Sequence, residues 1–256
     1  MPNMIPDYEI RLLLNPTLVL SPKNELMDTI QSTFGISPTE PTKLDVQFLD
    51  TNSKELYTAG WSARIRKIDT EDHIELTYKK RYEITGGDID AALAAANNDG
   101  FNVGNTKYEA QVEWGYQKQT LSISRKKARA NSENSGTGLP GIHDSREMLI
   151  NEAPGKLDNW KPNKWGTTML AASRIFGPVH ASRSTGSWNG MQVYLEVWPL
   201  VGLAGKGIEY IVEISFKTKS RETAAIEQGN LAAFLQCKGW LLKKDSLKTQ
   251  LIMERY

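Results

Sequence analysis

Charged residues recur two positions apart in several short runs of this sequence. Glu9 is followed at that spacing by Arg11, and Arg64 by Arg66. Because successive side chains of a β-strand point to opposite faces, the charged members of each run would share one face. Arginine and lysine bind phosphate oxygens, and carboxylates bind hard divalent cations. The runs lie at Asp7 to Arg11, Arg64 to Arg66, Glu75 to Lys79, Glu109 to Glu113 and Glu213 to Ser215.

The residues between these charges are apolar and would point to the opposite face of each strand. They include Tyr8, Ile10, Ile65, Leu76, Val112 and Ile214. If the apolar face packs outward against helices, the charged face must line a wet, enclosed space, and a polar-lined β-barrel satisfies both faces. The competing interpretation of any single run is a solvated strand face with cross-strand ion pairs. The recurrence of charge on strand after strand favours the barrel interior.

The composition excludes several classes of protein. With 39% hydrophobic residues, the chain of 256 residues can bury a core, and we expect a soluble globular protein. The formal net charge of +1 argues against duplex nucleic acid as a partner. The sole cysteine, Cys237, excludes an internal disulfide. Because there is no basic segment followed by an apolar run near the N-terminus, and no apolar stretch of membrane-spanning length, we predict a cytoplasmic monomer or homodimer without a membrane partner.

Hydrophobic periodicity and turn residues predict a single α+β domain over residues 1–256. Eight strands are predicted, at 7–14, 43–50, 60–68, 73–83, 107–115, 178–186, 190–198 and 207–217. Helices are predicted at 22–35, 88–96, 166–176 and 219–238. The segment 117–126 is compatible with a strand or a helix. Residues 128–165, rich in Asn, Ser, Gly, Pro and Lys, are expected to form an irregular insertion.

The order of the charged motifs resembles that of the CYTH, or triphosphate tunnel metalloenzyme, superfamily. The motif Asp7-x-Glu9-x-Arg11 keeps the charge pattern of the Glu-x-Glu-x-Lys strand with which that family begins. The later matching motifs are Gln47-Phe-Leu-Asp50-Thr51, Gly60-Trp-Ser-Ala-Arg64-Ile-Arg66, Glu75-Leu-Thr-Tyr-Lys79, Glu109-x-Gln-x-Glu113 and Tyr210-Ile-Val-Glu213. The resemblance implies an antiparallel, eight-stranded closed β-barrel, or tunnel, with helices packed outside. It also implies hydrolysis or cyclisation at a triphosphate with a divalent metal.

Carried over to the matching positions, the resemblance implies three groups of site residues. The metal-binding group, for Mg²⁺ or Mn²⁺ as cofactor, is Asp7, Glu9, Glu196 and Glu213. The substrate-binding group is Arg11, Arg64, Arg66, Lys79, Arg183 and Lys244, and to it we add Trp198, which departs from the family pattern but would offer a stacking surface if it faces inward. The catalytic group is Glu9, Glu109 and Glu113. The function expected from these groups is a metal-dependent phosphohydrolase acting on a phosphorylated small molecule that carries a triphosphate or polyphosphate.

Two departures from the family pattern leave other functions open. Trp198 stands where the family has the second carboxylate of Glu-x-Asp, and Ser215 where it has the second of Glu-x-Glu. Fewer carboxylates weaken metal binding, and a tryptophan adds apolar surface. The alternatives are a tunnel enzyme that ionises or cyclises an organic diphosphate, a metal-independent site, and a non-catalytic module that binds a phosphorylated ligand.

Overall fold

The strands of the computed structural model form one sheet that closes on itself. The structure describes residues 1–37, 39–130 and 138–256. Its strands are β1 (Asp7–Leu14), β2 (Thr42–Asp50), β3 (Trp61–Ile68), β4 (His73–Ile84), β5 (Glu109–Trp114), β6 (Gln119–Ala130), β7 (Arg174–Trp188), β8 (Met191–Val201), β9 (Ile208–Thr218) and β10 (Leu241–Leu242). The sheet order is β10-β1-β5-β6-β4-β3-β2-β7-β8-β9, and β9 also pairs with β1, which closes a barrel of nine strands. The short β10 adds only to the end of β1.

The predicted closed β-barrel with helices outside is confirmed, with nine strands in place of the expected eight. The additional strand is β6, which covers the segment that is compatible with a strand or a helix. Pairing with β4 along its whole length, from Gln119 opposite Ile84 to Ala130 opposite His73, makes it a strand. One neighbouring pair, β1 and β5, is parallel, so the barrel is not wholly antiparallel. Parallel neighbours need a long crossover, and here the chain passes through three other strands between them.

Helices cover the outside of the barrel and one of its ends. Their bounds are α1 (Pro16–Val19), α2 (Asp28–Thr33), α3 (Glu55–Thr58), α4 (Ile89–Asn98), α5 (Ile142–Asn151), α6 (Gly155–Asp158), α7 (Trp165–Ala171), α8 (Arg221–Cys237) and α9 (Lys248–Arg255). The predicted helix 22–35 is reduced to α2, because residues 21–26 form a turn closed by the Leu20–Leu26 bridge. Across the described residues, no helix is long and apolar enough to cross a membrane.

The outward side chains of the strands form the main hydrophobic core. Ile10, Ile65 and Ile214 are fully buried there, as the alternation of charged and apolar residues predicts. On this outer face α4 packs against β4 and β6, and α8 packs against β1 and β9. The apolar residues thus point away from the barrel axis, which leaves the charged residues of the same strands to face the interior.

Part of the segment expected to be an irregular insertion is helical. It contains α5 and α6, which pack with α7 over the outer face of β2 to β4. The hydroxyl of Tyr78 donates a hydrogen bond to the Leu149 carbonyl at 2.6 Å, and Gln47 Nε2 donates to Ser145 Oγ at 2.9 Å. Residues 131–137 of the expected insertion lie outside the described residues. The sequence of the expected insertion as a whole is polar and rich in turn-forming residues. Burial of α5 and α6 against the barrel therefore decides where its helices form.

The C-terminal helix α9 enters one end of the barrel and was not predicted. Its Ile252 and Met253 are buried in a second apolar cluster with inward residues of β2, including Leu44 and Phe48. Just before it, both carboxylate oxygens of Asp245 accept hydrogen bonds from the backbone amides of residues 116–118. The interior is therefore charged along most of its length and apolar where α9 closes it.

Candidate functional site

The barrel encloses a cavity of about 260 Å³, here called the tunnel cavity, in which positive charge predominates. The cationic side chains that line it are Arg11, Arg64, Arg66, Lys79, Arg81, Lys126, Arg183, Lys217 and Lys248, and the lining carboxylates are Glu9, Glu196 and Glu213. Two carboxylates that do not themselves line the cavity also bind cations of this set: Glu75 binds Arg64, and Glu113 binds Lys79. Glu109 binds Lys126 in the same way, at 2.7 Å, so nine cations face six carboxylates, an excess of three positive charges. An enclosed excess of positive charge favours an anionic ligand.

Glu113 organises one group of cations at the centre of the barrel. It is 2% exposed and accepts hydrogen bonds from Arg11 Nη2 at 2.5 Å and Lys79 Nζ at 2.6 Å, and from Ser122 Oγ at 2.8 Å. Burial alone would raise its pKa, but Arg11, Lys79 and Arg81 outweigh burial and hold the pKa of Glu113 well below its usual range. Glu113 is therefore a fixed anion that orients two cations, and it is a poor proton acceptor.

Lys79 and Arg81 follow each other on the inward face of β4. Burial lowers the pKa of Lys79 to about 8, although Glu113 opposes that shift. Arg81, which was not predicted as a site residue, donates to Ser62 Oγ at 3.2 Å and to Thr249 Oγ1 at 3.1 Å. Its position two residues after Lys79 in the same strand is a sequence signal that could have identified it.

Arg64 and Arg66 form a second group around Glu75. Glu75 Oε1 lies 2.8 Å from Arg64 Nη2 and 3.0 Å from Arg66 Nη2, and it accepts from Thr77 Oγ1 at 3.0 Å. Burial alone would raise the pKa of Glu75, but the two guanidinium groups outweigh it and lower the pKa to about 2. The Nε atoms of both arginines are buried without a hydrogen-bond partner among the described residues. One carboxylate thus holds two arginines whose remaining donors suit an anion.

Lys248 joins the third group, which lies between β8 and β9. Its Nζ is 2.5 Å from Glu196 Oε2 and 2.7 Å from Glu213 Oε1. Arg183 Nη2 is 2.5 Å from the other oxygen of Glu196, and Trp198 Nε1 donates to Glu196 Oε2 at 2.9 Å. Burial lowers the pKa of Lys248, but Glu196 and Glu213 outweigh it and raise that pKa above its ordinary value. Glu196, by contrast, has its pKa raised by burial and then brought below the ordinary value by Lys248 and Arg183.

Several predicted site residues lie at the mouth of the tunnel or outside it. Asp7 and Glu109 are the first residues of the parallel strands β1 and β5, and both are exposed. The Glu109 side chain is 68% exposed and accepts from Lys126 Nζ at 2.7 Å, so this predicted catalytic residue lies at the mouth and does not line the tunnel cavity. Lys244 is exposed and lines no described cavity, whereas Lys248, four residues later, lines the tunnel. The position of Lys248 depends on α9, which the lysine-rich sequence around it does not indicate.

Glu9 is the lining carboxylate that cations engage least. It accepts from Gln111 Nε2 at 2.6 Å, while the nearest cationic nitrogens, Arg11 Nε and Lys217 Nζ, are 3.9 Å and 4.0 Å away. It also lies opposite Glu113 in the register of β1 and β5, toward the mouth. Glu9 therefore retains acceptor capacity for a ligand or a water molecule.

The tunnel cavity has an apolar side. Leu44, Val46 and Phe48 of β2 line it together with Trp198 and Ile252. Trp198 faces inward, as its predicted role in substrate binding requires, and is 6% exposed. Beyond Arg11 and Arg81, which both cavities share, lies a larger rear cavity of about 580 Å³ whose polar walls include charged side chains and the amides of Gln117, Gln119 and Gln250.

The described carboxylates do not fit a resident divalent metal. No group of three or more His, Cys, Asp or Glu side chains suited to a metal occurs in the described part of the chain. Within the predicted metal set, Asp7 is exposed, while Glu196 and Glu213 hold the Lys248 ammonium group. Mg²⁺ in proteins is often bound by one or two carboxylates together with substrate phosphates. Of the predicted metal set, Glu9 is the carboxylate that suits this mode of binding. The four predicted carboxylates therefore do not form a site that could hold a metal before the substrate binds.

Comparisons with known proteins agree with this geometry at the level of the fold. No family model matches the chain, and no curated protein matches it in sequence. Among solved structures, a Hippeastrum protein first described as an adenylyl cyclase, in which a triphosphatase activity dominates, has a TM-score of 0.54 and 14% identity over 97% of this chain and 99% of its own. A Bacillus halodurans protein described as a candidate adenylate cyclase has a TM-score of 0.52 and 13% identity over 96% of both chains. The chain therefore shares the closed-barrel fold of these two proteins, which is the fold that its resemblance to the CYTH, or triphosphate tunnel metalloenzyme, superfamily implies.

Proposed function

We propose that this protein is a phosphohydrolase that acts on a triphosphate or polyphosphate-bearing small molecule inside the tunnel cavity. The observation that carries the proposal is the excess of positive charge in an enclosed space where the carboxylates other than Glu9 already bind cations closely. A guest with several negative charges would neutralise that excess. The described similarity of fold to a protein with a dominant triphosphatase activity supports the same class of substrate.

The arginines and Lys79 would bind the phosphoryl oxygens. Arg64 and Arg66 are held by Glu75, and Lys79 by Glu113, so these donors are fixed before the substrate arrives. Donors that are already oriented stabilise charge that develops in the transition state without reorganising. Phosphoryl transfer depends mainly on such positioning and charge stabilisation.

Glu9 would position the attacking water. Its acceptor capacity is less engaged than that of Glu113, whose low pKa makes it a poor base. In the hydrolytic step the water oxygen forms a bond to the terminal phosphorus and loses one proton to the solvent, the bridging phosphorus–oxygen bond breaks, and the remaining diphosphate leaves with the electron pair and negative charge of that bond. The cations of the tunnel offset that charge.

We propose further that Mg²⁺ or Mn²⁺ reaches the tunnel as part of the substrate complex. A divalent cation bound to the polyphosphate neutralises phosphate charge and polarises the reacting phosphoryl group. Glu9, near the mouth, is the residue that could contact a cation carried in this way. Activity would then require metal because the substrate is the metal–polyphosphate complex, and the protein itself would hold no metal before the substrate binds.

Phosphate release from inorganic tripolyphosphate tests the proposal. We expect release with Mg²⁺ or Mn²⁺ that falls when a chelator is added.

Arg66→Ala should lower kcat/KM by about tenfold or more, because a charged hydrogen bond contributes about 1.5–3 kcal/mol. Glu9→Gln should lower kcat by about a hundredfold if the residue positions water. Arg221→Ala, at a half-exposed site on α8, is the matched control and should not change the rate. Equal rates in all four proteins, or no release from tripolyphosphate and nucleoside triphosphates, would contradict the proposal.

The apolar side of the cavity favours a second candidate function, the ionisation or cyclisation of an organic diphosphate. Phe48 and Trp198 could shield an alkyl group while Arg64 and Lys79 hold the diphosphate leaving group. Water labelled with ¹⁸O separates the two functions. Attack at phosphorus places the label in the released phosphate, whereas cleavage of the carbon–oxygen bond leaves the released diphosphate unlabelled. Stabilisation by either ligand without turnover would favour a non-catalytic binding module.

The proposed substrate class also fits the other predicted properties of the chain. A small phosphorylated molecule as partner and a cytoplasmic location agree with the single cysteine and the balanced net charge. Fractionation of cells that express a tagged chain would test the location, and sedimentation would distinguish a monomer from a homodimer.

A further inference from the structure

We propose that the ammonium group of Lys248 takes the place of a resident divalent cation between Glu196 and Glu213, so that the tunnel cavity binds a phosphorylated anion without a resident metal. The statement about the anion rests on the proposed function, whereas the statement about the cation does not. Two of the four carboxylates in the predicted metal set are the two that contact Lys248, at 2.5 Å and 2.7 Å.

The first step is that a cation is required between these carboxylates. Glu196 and Glu213 are paired directly opposite each other on β8 and β9, and both point inward. They are 4% and 3% exposed. Like charges opposite each other on neighbouring strands repel, and burial strengthens that repulsion. Unless one carboxyl takes up a proton, toward which burial raises the pKa of Glu213, a metal ion or a positively charged side chain must compensate them, and Lys248 Nζ lies between them.

The second step is that Lys248 is fixed in this position. It is the first residue of α9, whose Ile252 is fully buried inside the barrel end. The next residue, Thr249, accepts from Arg81 Nη2 at 3.1 Å, and Asp245 ties the preceding segment to the turn after β5. The Lys248 Nζ also lies 4.8 Å from the centre of the Trp198 ring, within the range of a cation–π contact.

The third step is that both oxygens of Glu196 and Oε1 of Glu213 are already engaged by donors that a metal would have to displace. Arg183 contacts Glu196 Oε1, while Lys248 and Trp198 contact Glu196 Oε2. A metal would have to displace the ammonium group into a cavity that already carries excess positive charge. The presence of Trp198 and Ser215 at positions where the family pattern has carboxylates is consistent with this substitution of an amine for a metal.

Removal of the ammonium group tests the inference through gain of metal binding. Lys248→Met keeps most of the aliphatic stem and leaves two buried carboxylates without their shared cation. In the absence of phosphate, we expect this variant to bind Mn²⁺ about tenfold or more tightly than the wild type, measured by loss of the free Mn²⁺ paramagnetic resonance signal. At ten times Kd, Mn²⁺ should raise its Tm by about 3–6 °C.

Three controls distinguish the site from other acidic patches. Lys248→Arg keeps the charge and should bind no more Mn²⁺ than the wild type. Lys243→Ala removes an exposed lysine of the same segment and should behave in the same way. Glu213→Gln combined with Lys248→Met removes one of the two carboxylates and should abolish the gain. If Lys248→Met does not fold, Mn²⁺ binding to the wild type still decides, because tight binding there without phosphate would overturn the inference.

A second measurement addresses the anion. Tripolyphosphate in the presence of a chelator should raise the Tm of the wild type, whether or not the protein shows turnover. Absence of any gain of Mn²⁺ binding in Lys248→Met, or stabilisation by tripolyphosphate only when metal is present, would overturn the inference. Absence of phosphate release with the Mn²⁺ gain intact would overturn the proposed function alone, so the two failures are distinguishable.

Discussion

Glu9 and Glu113 face each other across β1 and β5, yet their surroundings give them different properties. Glu113 is enclosed by two cations and a hydroxyl, which hold it as an anion, whereas Glu9 is bound by the neutral amide of Gln111. The sequence predicts both as catalytic carboxylates, because strand alternation reports the face of a residue and not the partners that meet it from distant strands. Those partners make Glu113 an anion that orients cations, and they leave Glu9 with the free acceptor capacity that the proposed hydrolysis requires.

The carboxylate of Glu75 should make stability depend on pH. Its pKa is about 2 in the folded protein against an ordinary 4.5, so its contribution is complete above about pH 4.5 and disappears as the pH falls through about 2. We expect Glu75→Gln to lower the free energy of unfolding by about 3 kcal/mol at neutral pH and by progressively less toward pH 2. Urea unfolding at several pH values measures this. The matched change Glu109→Gln, at the exposed mouth, should give a small and constant difference; the same pH dependence in both variants would contradict the account.

Lys79 should make anion binding depend on pH in the opposite sense. Burial lowers its pKa to about 8, so the free protein loses this positive charge as the pH rises through that value. Affinity for tripolyphosphate should therefore fall above about pH 8, and binding should be accompanied by proton uptake near that pH. Calorimetric titration in two buffers of different ionisation enthalpy measures the uptake. Lys79→Arg keeps its positive charge near pH 8, so its binding of tripolyphosphate should lack the proton uptake that we assign to Lys79. An identical proton uptake in both proteins would refute the role of Lys79.

At the scale of elements, local patterning predicts those strands whose two faces differ clearly. The eight predicted strands all occur, because most of them alternate apolar residues with polar or charged ones. The strand β6 is different: Leu121 to Ser124 alternate, but the following Arg125 to Arg129 suit a helix surface equally well, and only pairing with β4 decides. Sequence patterning does not predict the helix α9 for a similar reason. Its apolar Ile252 and Met253 are buried only because the helix packs into the end of the barrel.

The packing of α9 should contribute measurably to stability. Ile252 is fully buried, so Ile252→Ala should lower the free energy of unfolding by about 2–5 kcal/mol. Gln250→Ala, at an exposed position of the same helix, should change it by less than about 0.5 kcal/mol. Denaturant unfolding compares the two. Similar small losses would show that the helix does not pack inside the barrel.

At the scale of the whole molecule, closure of the sheet is what turns scattered charges into a site. Arg11, Arg64 and Arg183 are far apart in the chain, and they line one cavity because β9 returns to pair with β1 and closes the sheet. The sequence predicts a closed barrel from the repeated alternation, but the parallel pair of β1 and β5 and the ninth strand depend on long-range pairing that no local pattern records. The exposed mouth positions of Asp7 and Glu109 follow from the same geometry, because both strands begin there.

The central claim is that the inward cations form one binding site for a phosphorylated anion. A crystal structure of the protein grown with tripolyphosphate tests it most directly. The account predicts the anion inside the tunnel cavity, with phosphoryl oxygens within hydrogen-bond distance of Arg64, Arg66 and Lys79 and with the Lys248 contacts to Glu196 and Glu213 retained. An anion bound only to lysines on the outer surface, with the tunnel cavity holding none, would contradict it.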